Sequence, residues 1–297
     1  MNPTKLAALL LLSVAAADII GDDIFREVGS YQQCLATMRS SISETAPEEE
    51  MDDLRSHGRP GVRHWPNGRI PYVLQNGMSR YRKRMLACGI LFFKEQTCIR
   101  LVPKQDSDDS YVYFQDTVPD KCYSYAGMLG GKQEINLAQR CWILGTVVHE
   151  IMHAVGFFHE QSRDDRDSYI TIHWNNIHPD MMGQYKVAEG YHPLEYDYES
   201  VMHYPSGHRY GVPTMTALKE PIHKNNMQMG QRGRASELDI KKINHMYQCS
   251  DGGDKPDPSP TPKPTKNPRI QPIFVVSSKS TVDLGSLAAQ KRVVNAN

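Results

Sequence analysis

The stretch HEIMHAVGFFHE, residues 149–160, places three histidines and two glutamates among mostly apolar residues. His149 and His153 are four residues apart, so on a helix they lie on one face, a single turn from each other. Two imidazoles on one face can bind the same metal ion. Glu150 lies about 100° round the helix axis from His149, where a carboxylate can reach a water molecule at that ion. The spacing therefore predicts a metal site with Glu150 as its general base.

A third histidine, His159, can join this site only if the helix ends first. A continuing helix would carry His159 to about 240° round the axis from His153. Gly156 tolerates the left-handed backbone that ends helices, and the chain can then turn back toward the same ion. Three neutral nitrogen ligands leave zinc an open position for water, as a catalytic site requires. We therefore predict that His149, His153 and His159 bind one Zn²⁺ per chain.

The extended pattern HEIMHAVGFFHEQSRDDRDSYI, which begins at residue 149, resembles the signature of the astacin family of metzincin zinc endopeptidases. SVMHYP at residues 200–205 resembles that family's Met-turn. The resemblance covers about residues 56–250. It implies a two-lobed α+β peptidase domain with a mixed, twisted sheet and the zinc-binding helix in the N-terminal lobe, and an irregular C-terminal lobe that ends in a helix. It also implies peptide-bond hydrolysis by metal-activated water.

The resemblance assigns roles to several further residues. Met202 would lie beneath the metal without binding it, and Tyr204 would be an additional zinc ligand that swings away to stabilise the oxyanion as a catalytic residue. Glu160 would pair with the amine freed by activation. The stretch YSYAGMLGGKQEINL at 123–137 resembles the rim strand that binds extended peptide substrates. Read without the resemblance, this stretch is a strand interrupted by glycines.

The sequence pattern outside the site also favours an α+β fold with a strand-rich first half. Short β-prone runs occur at residues 70–74, 99–102 and 111–114. A helix with Ser79 as N-cap is predicted between the first two runs, and Ser236 with Asp239 forms a candidate capping box for a final helix. Lys+Arg and Asp+Glu both total 34, so there is no basic excess typical of nucleic-acid binding. We expect a monomer with protein or peptide substrates, and neither a nucleic-acid nor a membrane partner.

The N-terminal region predicts secretion as a zymogen. Residues 1–17 combine Lys5, a short apolar run and small residues, as in a cleaved signal peptide. Residues 18–55 carry ten acidic and three basic residues, a net charge of 3 − 10 = −7. An acidic segment against a mildly basic body is expected of a propeptide that inhibits its own enzyme. The same charge is equally typical of a solvated, disordered leader.

Within this leader, IIGDDIF at 19–25 resembles the family's zymogen switch, in which an aspartate takes the open zinc position. Asp22 matches that aspartate, whereas Ile19 replaces the usual Phe. The resemblance favours activation by cleavage after Arg55, with Arg59 and Arg63 as alternatives. After residue 250 the composition becomes Pro-rich, and 251–297 is expected to be a linker and disordered tail.

Six cysteines in a secreted chain are expected to form disulfides. The resemblance implies two bridges, Cys98–Cys249 and Cys122–Cys141. Cys34 and Cys88 are left over. They either pair across the propeptide boundary or leave Cys88 as a buried free thiol in its helix, and we favour the free thiol.

Two other functions remain open for this sequence. One is a catalytically silent relative that acts as a binding or structural protein, although the three histidines, Glu150 and Tyr204 are all present. The other is a zinc amidase or deacetylase, which would not explain the Met-turn.

Overall fold

The computed structural model describes residues 19–39, 62–188, 194–209 and 212–250. The predicted signal peptide, the cleavage site after Arg55 and the tail 251–297 lie outside these residues.

Within the described ranges the chain forms six α-helices and nine β-strands. The helices are α1 (Asp22–Val28), α2 (Tyr31–Arg39), α3 (Arg80–Gln96), α4 (Leu144–Val155), α5 (Ile222–Gln228) and α6 (Glu237–Met246). The strands are β1 (Arg69–Leu74), β2 (Arg100–Pro103), β3 (Tyr111–Gln115), β4 (Cys122–Tyr123), β5 (Lys132–Leu137), β6 (Ile170–Ile172), β7 (His208–Arg209), β8 (Val212–Pro213) and β9 (Met215–Ala217). None of the described helices combines the length and hydropathy needed to cross a bilayer.

The main sheet has five strands in the order β2-β1-β3-β5-β4. The first four run parallel, and β4 pairs antiparallel with β5 at one edge. The runs predicted at 70–74, 99–102 and 111–114 are confirmed as β1, β2 and β3, each within one residue of its predicted bounds. Parallel strands need a long crossover, and α3 supplies it between β1 and β2.

Helix α3 begins where the sequence predicts. The Ser79 side chain accepts a hydrogen bond from the Arg82 backbone N–H, which satisfies one of the unpaired donors of the first turn. Gly89 faces α4, since a Cβ added there would lie only 2.9 Å from Val147 Cγ1. The missing side chain therefore lets α3 and α4 pack closely.

The stretch 144–155 forms α4, and all twelve of its residues are buried. Helix α4 contacts both α3 and strand β5 of the main sheet. This position explains why apolar residues surround the helix on all sides, including the faces that do not carry the histidines. The histidines and Glu150 are thus held by a fully packed element.

A second core lies in the C-terminal half of the chain, around the short antiparallel pair of β6 and β9. Its buried members are mostly large side chains, among them Ile170, Tyr185, Tyr204 and Met215. Most of this half has no long regular element, because 3₁₀ turns and loops connect its short strands. The predicted α+β class, with an irregular second half that ends in a helix, is confirmed.

The structure contains three disulfides and no free cysteine among the described residues. Two of them, Cys98–Cys249 and Cys122–Cys141, are the bridges implied by the resemblance. The third joins Cys34 to Cys88, so the expectation of a free thiol at Cys88 was wrong. The reason is tertiary, because α2 packs on α3 and brings the two Cα atoms to 5.9 Å, within the usual range for a bridge.

Candidate metal centre

His149, His153 and His159 form the one group of side chains among the described residues that could hold a metal ion. Each of them offers a ligand atom within 4.8 Å of those of the other two. The Nε2 atoms of His149 and His153 are 3.1 Å apart. Nitrogen ligands at about 2.0–2.1 Å from a tetrahedral zinc are about 3.3 Å from one another, so this spacing suits zinc. All three side chains are at most 1% exposed.

Backbone carbonyls fix the tautomers of two of these histidines. His149 Nδ1 lies 2.7 Å from the Val201 carbonyl oxygen, and His153 Nδ1 lies 2.8 Å from that of Phe157. A carbonyl can only accept, so each Nδ1 carries the proton and donates it. Each Nε2 is then left with a lone pair that points toward the other. Two facing lone pairs need a cation or a shared proton between them, and this arrangement is the usual preparation of a metal-binding histidine.

The turn after α4 brings His159 to the other two rings. Gly156 ends the helix with φ +129°, a backbone conformation that residues with a side chain rarely adopt. The Gly156 N–H donates to the Met152 and His153 carbonyls. The His159 ring centroid lies 5.3 Å from that of His149 and 4.9 Å from that of His153. The chain reversal predicted at Gly156 is therefore present.

Tyr204 lies beside one ring of this trio, and Met202 is buried in the main core. The Tyr204 ring is 4.5 Å from the His159 ring, centroid to centroid, and its backbone N–H donates to Gln161 Oε1 at 3.0 Å. Met202 is 2% exposed and belongs to the main core. Its carbonyl accepts from the Glu160 N–H at 3.1 Å, which ties the Met-turn to the segment that follows His159.

The Met-turn is also held by α6. Asp239 Oδ2 accepts from the Val201 N–H at 2.9 Å, and Asp239 Oδ1 accepts from Ser200 Oγ at 2.6 Å. The same carboxylate forms the predicted capping box with Ser236, which is confirmed. Because the Val201 carbonyl in turn accepts from His149, Asp239 is connected to His149 through the backbone of a single residue.

Glu160 is the centre of a buried charge network. Its Oε1 accepts from Lys242 Nζ at 2.7 Å, from Arg163 Nη1 at 2.9 Å and from the Asp197 N–H at 2.9 Å. Burial alone would raise the pKa of Glu160, but the charges of Lys242 and Arg163 outweigh it and hold that pKa below its usual value. Glu160 is therefore ionised and paired by residues of the peptidase region itself.

Asp22 is not brought to the trio. It is the exposed first residue of α1, and α1 packs against α3. On α4, Val147 and Ile151 each lie two residues from His149, and a separation of two residues is about 200° round the helix axis. Both of these residues face Gly89 of α3, so α3 packs on the side of α4 that is opposite to His149.

The glycine-rich rim forms a loop between two strands. β4 and β5 pair at the sheet edge, and the residues between them make turns rather than one continuous strand. Gln133 stabilises this loop, because its side chain donates to the Gly127 carbonyl at 2.9 Å and accepts from the Leu129 N–H at 3.1 Å. Gly127 N–H also donates to the His153 carbonyl at 2.9 Å, which links the loop to the end of α4.

Comparison with known proteins agrees with this geometry. The sequence model of the peptidase family described as Astacin matches residues 59–248. The chain belongs to the astacin family. Zinc metalloproteinase nas-15 of Caenorhabditis elegans is 42% identical over 229 residues, which are 73% of this chain and 38% of that protein. Zinc metalloproteinase nas-4 of the same species is 37% identical over 232 residues, which are 75% of this chain and 70% of that protein.

The fold agrees with that of a solved astacin-like protease. High choriolytic enzyme 1, a hatching-enzyme zinc protease from the medaka fish Oryzias latipes, superposes with a TM-score of 0.57 and 33% sequence identity. The match covers 63% of this chain and 94% of the fish protein. The chain spans well under two thirds of several curated relatives, for example 38% of nas-14 and 41% of nas-13.

The residues that surround the trio were not all found by sequence analysis. Lys242, Arg163 and Asp239 were not assigned to the site, although Glu160 and Arg163 at i,i+3 and Asp239 and Lys242 at i,i+3 are charge pairs visible in the sequence. The roles of the Val201 and Phe157 carbonyls could not be predicted from the sequence, because every residue has a backbone carbonyl.

Proposed function

We propose that this chain is a secreted zinc endopeptidase made as a zymogen. The observation that carries the proposal is the buried trio His149, His153 and His159, with two Nε2 lone pairs facing each other at 3.1 Å and Glu150 one residue from the first ligand. The family membership and the names of the relatives, which are zinc metalloproteinases, support the same function.

Zinc is the metal that this donor set fits best. Three neutral imidazoles without a carboxylate or thiolate are typical of catalytic zinc sites with an open position. We infer one Zn²⁺ per chain, held by His149, His153 and His159, with Tyr204 as an additional ligand in the resting enzyme. When bound, zinc supplies Lewis-acid polarisation of the substrate carbonyl and makes water acidic near neutral pH.

Glu150 is the proposed general base. It takes the proton of the attacking water and then delivers it to the leaving nitrogen of the peptide. It is 1% exposed, so its proton transfers take place away from bulk solvent. Tyr204, whose ring lies beside that of His159, would donate a hydrogen bond to the oxyanion, a contact whose loss typically slows such enzymes by about 10²-fold or more.

The substrates we propose are extended protein or peptide segments. The rim loop held by Gln133 follows β4, the edge strand of the main sheet. An edge strand and its adjoining loop can pair with an extended peptide through backbone hydrogen bonds. This gives a binding surface beside α4, to which Gly127 is directly bonded.

Activation by a single cut before the peptidase domain is part of the proposal. Arg63 is a poor alternative site, because its backbone carbonyl accepts from the Met128 N–H and its side chain donates to the carbonyls of Met128 and Leu129. This favours an upstream cut, with Arg55 as the predicted site. The freed amine would join a Glu160 network that already contains Lys242 and Arg163. The inhibitory role of Asp22 stays a prediction that the position of α1 does not support.

Secretion is supported by the cysteine chemistry. All six cysteines of the sequence are paired in three disulfides, which persist in oxidising compartments. Residues 1–17 supply the predicted signal peptide. The monomeric state stays a prediction.

Substitution of Glu150 tests the function against both alternatives. Glu150→Gln should bind one zinc per chain, measured by metal analysis, yet hydrolyse casein at less than about 1% of the unaltered rate. Glu237→Gln, at an exposed position of α6, is the matched control and should keep full activity. A chelator should abolish casein hydrolysis, and zinc should restore it. A chain that binds zinc but never cleaves casein would be a silent relative, whereas release of acetate or ammonia from small amides would indicate an amidase or deacetylase.

A further inference from the structure

Five side chains of the leader segment 19–39 are packed into the main core of the protein. Ile20, Ile24, Val28, Tyr31 and Cys34 are each at most 9% exposed and belong to the same cluster of buried side chains as the residues of α3 and α4. A leader that is only solvated would leave such side chains in water. The apolar surface buried here instead favours a stable interface between the leader and α3.

Polar contacts fix the leader in one position on α3. The Tyr31 N–H donates to the Glu95 carboxylate, with both N···O distances at 3.2 Å, and the Tyr31 ring lies 5.1 Å from the Phe92 ring. At the other end of α3, Arg80 Nη2 donates to Glu27 Oε2 at 2.6 Å. The contacts therefore extend from the first turn of α3 to its last.

The Cys34–Cys88 bridge makes this interface covalent. Cys34 lies in α2, on the leader side of the proposed cleavage site, and Cys88 lies in the middle of α3, on the enzyme side. A cut anywhere between residues 39 and 62 breaks the peptide chain but leaves the S–S bond intact. The two fragments then separate only when a reductant supplies two electrons and two protons to convert the bridge into two thiols.

Among its described residues, the leader contributes no ligand atom to the group of side chains that could hold a metal ion. It contacts α3, and α3 packs on the side of α4 that is opposite to the histidines. Release of the described leader residues is therefore not needed to open access to the trio.

We propose that residues 19–39 remain attached to the peptidase domain after activation, as a disulfide-linked light chain that is a permanent structural part of the active enzyme. This inference rests on the proposed function, since it concerns the enzyme after its activating cut. It assigns the leader helices the task of covering the apolar face of α3, rather than that of an inhibitor which leaves.

The test compares the full-length protein with its Cys34→Ala/Cys88→Ala variant, each cut by limited trypsin treatment between residues 39 and 62. Attachment is read from intact mass and from non-reducing and reducing gels, and hydrolysis is read separately with casein. These readouts are independent, so absence of casein cleavage both before and after removal of the leader would contradict the proposed function and not this attachment.

We expect the cut protein to run as one species without reductant and to yield a light chain with reductant. Casein hydrolysis by the cut, non-reduced protein should be within about twofold of that of the cut variant after removal of its leader. After removal of its leader, the variant should have a Tm roughly 5–15 °C lower than that of the cut, bridged protein.

Two results would overturn the proposal. One is a cut protein that loses the leader without reductant, which would show that the bridge is absent. The other is a bridged, cut protein that is inactive and gains activity only when the leader is removed, which would make the leader an inhibitor.

Discussion

Lys242 and Glu160 form a buried ion pair across 82 residues of sequence, with Nζ 2.7 Å from Oε1 and both side chains 8% exposed. The resemblance to the astacins leads to the expectation that Glu160 acquires its counter-charge from the amine freed by cleavage. In this chain Lys242 and Arg163 already compensate the charge of Glu160. The segment that follows His159 is therefore fixed independently of that amine.

Removal of Lys242 should destabilise the protein strongly. Lys242→Met leaves Glu160 buried with Arg163 as its one remaining cationic partner among the described residues, and breaking a buried pair typically costs about 3–5 kcal/mol. We expect the free energy of unfolding to fall by about 3 kcal/mol, because Arg163 remains. Lys241→Met, at the exposed neighbouring position of α6, is the control and should change stability by less than about 0.5 kcal/mol. Equal stability of the two variants in denaturant titrations would show that the pair contributes nothing.

Gly156→Ala should weaken zinc binding. The backbone at Gly156 has φ +129°, which costs a residue with a Cβ about 1–3 kcal/mol, and the nearest atom to an added Cβ is Met246 Sδ at 3.5 Å, so strain and not a clash is the cause. Relief of this strain would shift the turn that carries His159. Competition with a chromogenic chelator should therefore show a several-fold higher Kd for zinc. Gly183→Ala, where no atom lies within 4 Å, should keep the original affinity.

Gln133→Leu should weaken substrate binding more than it slows turnover. The substitution removes the bonds that Gln133 makes to the Gly127 carbonyl and the Leu129 N–H, and so loosens the rim loop. If extended peptides bind along this loop, KM for a peptide substrate should rise roughly two- to tenfold, with kcat changed less. Lys132→Gln, at the exposed neighbouring position, serves as the control. A fall in kcat at constant KM would indicate that Gln133 acts on the reaction itself.

Asp197 should make stability depend on pH below neutrality. Burial, together with the charge of Asp239, raises the pKa of Asp197 to about 6. A carboxyl group whose folded pKa lies above its unfolded value of about 3.9 binds protons better when folded, so its stabilising contribution is full below about pH 4 and is lost as pH rises through about 6. Asp197→Asn removes this titration. The free energy of unfolding of the original protein minus that of the variant should therefore increase between pH 7 and pH 5, measured with zinc in excess. A difference that stays constant or decreases would contradict the raised pKa.

The local features of this protein were predictable because they are set by short-range sequence patterns. The helix that carries His149 and His153, its end at Gly156 and the N-cap at Ser79 all follow from residue spacing and backbone preference. The capping box of α6 follows for the same reason. These features depend on residues no more than six positions apart.

The features that were missed depend on how distant elements pack. Cys34 and Cys88 are separated by 54 residues, and only the docking of α2 on α3 brings them together. Glu160 and Lys242 meet because α6 packs on the main core. The bond from His149 to the Val201 carbonyl has no sequence signal, since a backbone oxygen is present at every position.

The Cys98–Cys249 bridge has a mechanical consequence. It encloses a loop with a sequence separation of 151 residues, and that loop contains all three histidines. A pulling force applied to the two ends of the polypeptide passes from residue 249 through the sulfur atoms to residue 98, and so bypasses the backbone between these two cysteines. In a stretching experiment the extension gained on rupture should come from the chain outside this loop, and the backbone that carries the three histidines should not extend until a reductant opens the bridge.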